Sequence, residues 1–313
     1  MFLCSPKSVD TSEPLLRSPA RTVSLAREIV ALAKPRLSSS VVFSAAAGYL
    51  IGFVRFDLWA FVSLLFGGFL VVASSNAFNQ IWERERDALM DRTRSRPLPA
   101  GRLSLSQAFW AALIMGIAGI GLLYTVNKLS ASFGALSLLL YVFAYTPLKR
   151  SGPIAVFVGA IPGAIPYMLG WVAARNDFDI ESGTLFAQQF LWQFPHFWAI
   201  AWLLHEDYAK AGYNLLPSGK KSDWSALQPF IYTLALIPLS LLPALGITGT
   251  LVLSGFAALP IAVAGGILIQ KAWKLFREQT AVAARGLLIA SVLWLTVVQV
   301  IYVLDRLLRP LWH

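Results

Sequence analysis

The stretch LWAFVSLLFGGFLVVASSNAFNQIW, at Leu58–Trp82, predicts a helix that crosses a membrane. A spanning helix needs about 20 mostly apolar residues, and this stretch contains no charged side chain. The whole chain has the same character, since 57% of its 313 residues are hydrophobic and 13% are charged, against roughly a quarter charged in soluble domains. This composition excludes a disordered chain, and the single cysteine, Cys4, excludes a disulfide framework.

Eight further stretches show the same pattern, so we expect an all-α, polytopic integral membrane protein with nine transmembrane helices. The nine predicted spans are Leu37–Val54, Leu58–Trp82, Ser106–Val126, Leu129–Thr146, Pro153–Ala174, Gly183–Leu204, Ala226–Leu245, Ile247–Ile269 and Gly286–Leu304.

Lysine and arginine divide unevenly between the two sides of these spans. With a cytoplasmic N-terminus, the cytoplasmic segments hold 21 of the 26 basic residues and the outside segments hold five. We therefore expect the N-terminus in the cytoplasm, the C-terminus outside, a polar cytoplasmic segment at 1–33 and a single transmembrane domain at 34–313. Residues 1–33 lack the apolar run of a signal peptide and contain acidic residues that a mitochondrial presequence avoids, which favours a bacterial inner membrane. The basic residues lie in short runs between apolar stretches, so no nucleic-acid partner is expected.

A row of oxygen-bearing side chains follows the second predicted span. On a helix, Asn79, Glu83 and Asp87 are spaced i, i+4, i+8 and share one face within about 12 Å, and Asp91 extends the row. Like charges at this spacing repel, and a bound divalent cation would remove the repulsion. Mg²⁺ favours one or two carboxylates together with water and substrate phosphates, so a magnesium site is one interpretation. A solvated helix end with mixed charges is the other.

Three arginines, Arg92, Arg94 and Arg96, come directly after this row and before Pro97. Guanidinium groups bind phosphate oxygens with two parallel hydrogen bonds. Acidic metal ligands beside arginines, at the mouth of an apolar bundle, indicate a diphosphate with an apolar tail as the ligand.

The segment YTPLKRSGP places Tyr145, Lys149 and Arg150 at the cytoplasmic end of the fourth span. The two cations could be membrane anchors alone. The fifth span, which follows, contains three prolines among several glycines. Glycines let helices pack closely, whereas prolines free backbone polar groups toward a cavity, so this span is predicted to line one.

The sixth span contains FLWQFPHFWAIAW, in which His196 is the one histidine inside a predicted span. Gln193 lies one turn before it, beside Trp192, and could be the hydrogen-bond partner of an ordinary buried histidine. Polar groups in lipid are costly unless they line a cavity or bind a ligand, which favours a functional site. A neutral imidazole can ligate iron or accept a proton, and the sequence leaves both open. The span ends at HEDYAKAGYNLLP, with Asp207 at the cytoplasmic side.

Together these motifs resemble those of the UbiA-type membrane prenyltransferases. The pattern N-x-x-x-[DE]-x-x-x-D-x-x-M-x-R-T-x-x-R-P-L-P, from Asn79 to Pro99, is similar to one shared across that family. The companions YTPLKR, WQFPHFW and EDYAKAGYNLLP resemble the heme O synthase branch. The resemblance is close from about Ala33 to Pro217, and beyond that it is confined to hydropathy.

The resemblance implies nine helices around a central cavity, and transfer of the farnesyl group of farnesyl diphosphate to a vinyl group of haem B. The product would be haem O for a haem–copper oxidase, and haem would be a substrate rather than a cofactor.

Asn79, Glu83 and Asp87 would hold Mg²⁺, the implied cofactor, and with His196 they form the implied catalytic set. The implied diphosphate-binding residues are Arg92, Arg96, Lys149 and Arg150. The implied haem-binding residues are Tyr145, Trp192, Gln193, His196 and Asp207. Implied partners, besides the lipid bilayer, are haem A synthase and oxidase assembly factors.

Two other classes of protein share part of this pattern. A prenyltransferase for a quinone precursor or another aromatic acceptor would share the first motif and differ around His196. A secondary transporter would also have helices broken by glycine and proline, but its charged site would lie near the bilayer midplane. The charged row of this chain is predicted at a helix end.

Overall fold

A computed structural model describes residues 24–309, and every regular element within that range is helical. Twelve α-helices follow one another along the chain: α1 Leu25–Ala33, α2 Pro35–Gly52, α3 Leu58–Asp87, α4 Leu105–Val126, α5 Lys128–Leu139, α6 Thr146–Leu148, α7 Ile154–Arg175, α8 Ile180–Leu203, α9 His205–Lys210, α10 Asp223–Leu241, α11 Gly255–Glu278 and α12 Ala281–Leu308. Most of the predicted polar segment at 1–33 lies outside the described residues, and its last part forms α1.

Seven helices of the described chain are long and apolar enough to cross a membrane, counting the continuous helical run at 128–151 as one. The two other predicted spans are helices of 18 and 24 residues, α2 and α8. They contain more polar residues, among them three consecutive serines in α2 and three glutamines and a histidine in α8. An all-helical, multi-pass membrane protein is therefore confirmed.

Helix α3 does not end with its apolar stretch at Trp82 but continues to Asp87. Its N-terminus is fixed by the Asp57 side chain, which accepts hydrogen bonds from the main-chain N–H groups of Trp59 and Ala60. The continuation places Asn79, Glu83 and Asp87 on one rigid element.

Helix α7 lies at the centre of the bundle, between α2, α5 and α8. Gly48 of α2 and Gly170 of α7 mark the crossing of those two helices. A Cβ atom on Gly170 would lie 2.0 Å from the main-chain oxygen of Ala45, and one on Gly48 would lie 2.1 Å from that of Tyr167. Only glycine permits this backbone-to-backbone approach.

Between α5 and α6 the chain forms a π-helix at Leu140–Tyr145. The main-chain N–H of Thr146 donates to the oxygen of Tyr141, five residues back. The wider turn directs both Tyr141 and Tyr145 toward the interior of the bundle, with their ring centroids 5.1 Å apart. Such π segments frequently occur at functional sites.

Candidate functional site

Asn79, Glu83 and Asp87 are all buried, with relative exposures of 2%, 5% and 0%. They lie on the wall of a cavity of about 280 Å³, which we call the charged cavity. Its other polar lining residues are Lys34, Arg92, Arg96, Tyr141, Tyr145, Lys149, His196, Tyr208 and Tyr213. The predicted row therefore faces inward, and a solvated helix end is excluded.

Each carboxylate of the row is paired with a cation from another part of the chain. The Nζ atom of Lys149 lies 2.8 Å from Oε1 of Glu83, and Nη1 of Arg96 lies 2.6 Å from Oδ2 of Asp87. The loop that contains Arg96 is held against α3, because the Thr93 hydroxyl donates to the main-chain oxygen of Asp87.

The lining of the charged cavity has an excess of positive charge. Four cationic side chains face two carboxylates, the cations being Lys34, Arg92, Arg96 and Lys149. Such a wall suits a ligand with several negative charges, and arginine and lysine are the side chains that bind phosphate oxygens.

The oxygen atoms of the row fit a divalent cation. The amide nitrogen of Asn79 donates to Oγ1 of Thr146 at 3.1 Å, so the amide oxygen of Asn79 points away from Thr146. Oδ1 of Asp87 is buried without a hydrogen-bond partner. The described residues contain no group of three or more His, Cys, Asp or Glu side chains placed to hold a metal ion, so the set is two carboxylates and one amide. Mg²⁺ suits so small a set, because it keeps water and substrate phosphates among its ligands.

Lys34 was not predicted as a site residue. It lies between α1 and α2 with a φ angle of 48°, in the left-handed region that non-glycine residues rarely adopt. This bend directs its ammonium group into the charged cavity, with Nζ 3.5 Å from Oδ1 of Asn76. Burial, together with the nearby positive charges of Arg96 and Lys149, lowers the pKa of Lys34 to about 7. A sequence signal exists in the tripeptide Lys34-Pro35-Arg36, directly before the first predicted span.

A second cavity, of about 450 Å³, extends from the charged cavity into the bundle, and we call it the deep cavity. Its described lining is free of Asp, Glu, Lys and Arg. Six residues line both cavities and make them continuous: Leu37, Tyr141, Tyr145, Gly159, His196 and Phe197. The space thus runs from a cationic end to an uncharged interior.

His196 stands at the junction, and its hydrogen-bond partner is not Gln193, the candidate one turn away on the same helix. Its Nδ1 atom lies 3.0 Å from the hydroxyl of Ser291 on α12. Gln193 donates instead to the main-chain oxygen of Ala160 at 2.7 Å. Trp192 stacks on the His196 ring, with centroids 4.6 Å apart and an interplanar angle of 21°. Both Trp192 and Gln193 line the deep cavity.

Two predicted site residues lie away from both cavities. Arg150 lines a surface groove, so that adjacent Lys149 and Arg150 face different environments.

The Asp207 carboxylate accepts hydrogen bonds from the main-chain N–H groups of Asp91 and Arg92, at 2.8 and 3.3 Å. Lys210 pairs with Asp91 across the same junction. This ion pair lowers the pKa of Asp91 and raises that of Lys210.

Tyr208 and Tyr213 were also missed as lining residues. Their segment is held by Arg86, whose guanidinium donates to the main-chain oxygen of Ala211 at 2.5 Å and lies over the Tyr213 ring. Burial and the nearby Glu83 carboxylate raise the pKa of Tyr213, so the phenol remains protonated.

Comparison with known proteins gives consistent matches. Residues 41–298 match the UbiA prenyltransferase family. A protoheme IX farnesyltransferase of Christiangramia forsetii is 49% identical over 92% of this chain and 96% of its own length. One of Flavobacterium psychrophilum is 48% identical over 89% and 94%.

Solved structures share the fold at lower sequence identity. A digeranylgeranylglyceryl phosphate synthase superposes with a TM-score of 0.76 at 20% identity, covering 91% of this chain and 99% of the other. A UbiA homologue from Archaeoglobus fulgidus bound to GPP and Mg²⁺ gives 0.64 at 14% identity, covering 88% and 99%.

Proposed function

Because the chain belongs to the UbiA prenyltransferase family, we propose that it transfers the farnesyl group of farnesyl diphosphate to a vinyl group of haem B and so makes haem O. Relatives named protoheme IX farnesyltransferase, among them two that are 49% and 48% identical over about nine-tenths of the chain, support this substrate pair. The observation that carries the proposal is the continuous space from a cationic end to an uncharged interior, with His196 where the two parts meet.

The charged cavity binds the diphosphate. Lys34, Arg92, Arg96 and Lys149 supply the positive charge that neutralises it. Asn79, Glu83 and Asp87 are the residues that would hold Mg²⁺, which neutralises charge on a leaving diphosphate. With Glu83 and Asp87 holding the metal, Lys149 and Arg96, which contact these carboxylates in the structure, would be available to bind the diphosphate.

The reaction breaks the bond between C1 of the farnesyl group and the diphosphate oxygen, leaving an allylic cation. Tyr141 and Tyr145 line the passage between the two cavities, where their ring faces can stabilise positive charge. The vinyl group attacks C1 of the farnesyl group, which moves the positive charge to the vinyl-derived side chain. Water then adds its oxygen there as a hydroxyl group and releases one proton. The negative charge that develops on the leaving diphosphate is stabilised by the cationic side chains already in the charged cavity.

The acceptor occupies the deep cavity. Its volume of about 450 Å³ lies within the range of roughly 300–1,000 Å³ typical of small-molecule sites. Trp192, Gln193 and His196 provide an aromatic surface and polar groups on one wall. Arg150 and Asp207 are proposed to act indirectly, by supporting the segments that bear Lys149 and Arg92.

We further propose nine membrane spans, with α2 and α8 as the two additional ones, in a bacterial inner membrane. The N-terminus is cytoplasmic and the C-terminus outside, and haem A synthase or oxidase assembly factors receive the product. The native Cys4 offers a topology test. A membrane-impermeant thiol reagent should label it in inside-out vesicles and not in right-side-out vesicles, whereas a His313→Cys label on a Cys4→Ser background should show the reverse.

The deciding experiment is a product assay. Membranes containing the protein receive haem B, farnesyl diphosphate and Mg²⁺, and the extracted haems are separated by reverse-phase chromatography with mass detection. A new haem, heavier by one farnesyl group plus one hydroxyl group, is expected and should be absent with Asp87→Asn. No new haem from a folded protein would contradict the proposal, and the same diphosphate would then be offered with quinone precursors.

A further inference from the structure

We infer that Ser291 is a positioning residue, which fixes His196 in the tautomer protonated at Nδ1 and so presents the lone pair of Nε2 to the iron of the haem acceptor. The inference rests on the proposed function for the identity of the acceptor. The tautomer itself follows from hydrogen bonds within the described chain.

The first step concerns the single hydroxyl proton of Ser291. The Ser291 side chain donates to the main-chain oxygen of Leu288 at 2.7 Å, one turn back on α12. A hydroxyl has one proton to donate, so its oxygen can then only accept. The partner at 3.0 Å, Nδ1 of His196, must therefore be the donor.

The second step concerns the other ring nitrogen. In a neutral imidazole protonated at Nδ1, Nε2 has a free lone pair. His196 lines the deep cavity, whose described wall is free of charged side chains, and burying an imidazolium against such a wall is costly. His196 also borders the charged cavity, where four cationic side chains face two carboxylates and disfavour a further positive charge. The neutral ring is therefore the form that the acceptor encounters.

The third step concerns the orientation of the ring. The indole N–H of Trp192 donates to the main-chain oxygen of Ser291 at 2.7 Å, and its ring stacks on that of His196. A single, fully buried residue of α12 thus holds two side chains of α8. Histidines that ligate metals commonly donate from their second nitrogen to such an oxygen, which sets the tautomer and the ring plane.

Ser240 provides a matched control. It too is fully buried, its hydroxyl donates to the main-chain oxygen three residues back, Ile237, at 2.7 Å, and its main-chain oxygen accepts from Tyr302. It lines neither cavity. Ser291→Ala and Ser240→Ala therefore remove the same local hydrogen bond, and only the first removes the support of His196.

The test is the absorption spectrum and the affinity of ferric haem B bound to the purified full-length protein. Ser291→Ala should shift the Soret band from its position in the native protein and weaken haem binding by about 10–100-fold, the usual effect of removing such a support. Ser291→Thr should retain the native Soret position and haem affinity, and Ser240→Ala should change neither quantity. His196→Ala should lose the spectrum of imidazole-ligated haem. Farnesyl thiodiphosphate binding should be unchanged in the three serine variants, because neither serine lines the charged cavity.

An unchanged spectrum and affinity in Ser291→Ala would overturn the inference, and so would a native spectrum in His196→Ala. If Ser291→Ala does not fold, Ser291→Cys, of similar volume and with a weak hydrogen-bonding group, takes its place under the same criteria. Either negative result, with haem O still made by the native protein, refutes this inference and leaves the proposed function standing. Failure of the native protein to make haem O refutes the proposed function.

Discussion

Asp87→Asn separates the structural role of this carboxylate from its proposed chemical role. Asp87 and Arg96 form an ion pair of 2.6 Å, in which the two side chains are 1% and 19% exposed. Removing one partner of a buried pair typically costs about 3–5 kcal/mol, because the other charge is left without compensation. Arg96 borders the charged cavity, where water can reach it, so we expect the lower end, about 3 kcal/mol. For a chain of this size, that lowers the melting temperature by about 6 °C.

A double variant distinguishes the two roles. Asp87→Asn/Arg96→Met removes both charges, so it should recover most of the lost stability. It should not recover turnover, because a proposed metal ligand and a proposed diphosphate-binding side chain are both missing. Glu85→Gln on the same helix is the control, since that side chain is 87% exposed and pairs with its neighbour Arg84; both stability and turnover should be unchanged.

Both quantities can be measured on one preparation. The eleven tryptophans report thermal unfolding by fluorescence in detergent, and the haem product assay is run across a Mg²⁺ titration. Near-normal turnover of Asp87→Asn at low Mg²⁺ would refute the metal assignment. A double variant that melts as low as the single variant would refute the argument from the unpaired arginine.

Three further substitutions test other features. Lys34→Met should weaken diphosphate binding in an equilibrium assay. It should also raise the melting temperature, and by more at pH 6 than at pH 9. The folded-state pKa of Lys34, about 7, lies below its unfolded value, so the free-energy cost of burying the charge is largest at low pH. An equal gain at both pH values would contradict this. Gly170→Ala should destabilise the protein by several kcal/mol or prevent folding, since its Cβ would meet backbone at 2.0 Å, whereas Gly121→Ala, with open space around it, should melt at or above the native temperature. Lys149→Ala should raise the KM for farnesyl diphosphate at least tenfold and Arg150→Ala less than threefold, as measured by steady-state kinetics. A tenfold rise in both variants would place Arg150 in the site as well.

The features that the sequence could predict are local. Span positions follow from apolar composition, and the inward row of α3 follows from a spacing of four residues within one helix. Asn79, Glu83 and Asp87 could thus be placed together without knowledge of any other element.

The features that it could not predict depend on distant segments. Ser291 is 95 residues from His196, and no local spacing relates them, so Gln193 was the nearer and wrong candidate. Lys34 enters the cavity through a left-handed backbone bend. The resemblance implies that Asp207 binds haem, but its carboxylate binds the main chain of the neighbouring loop.

The π-helix at Leu140–Tyr145 determines where this chain can change in length. A π segment holds one residue more than an α-helix of the same number of turns. Loss of one residue between 140 and 145 would therefore let the segment tighten to an α-helix while its two ends keep their orientation. Loss of one residue from Lys128–Leu139, which is regular α-helix, would rotate everything after it by about 100°. Lys149 would then turn away from Glu83. The helical run at 128–151 therefore tolerates a one-residue deletion in its π segment and not in its α-helical first part.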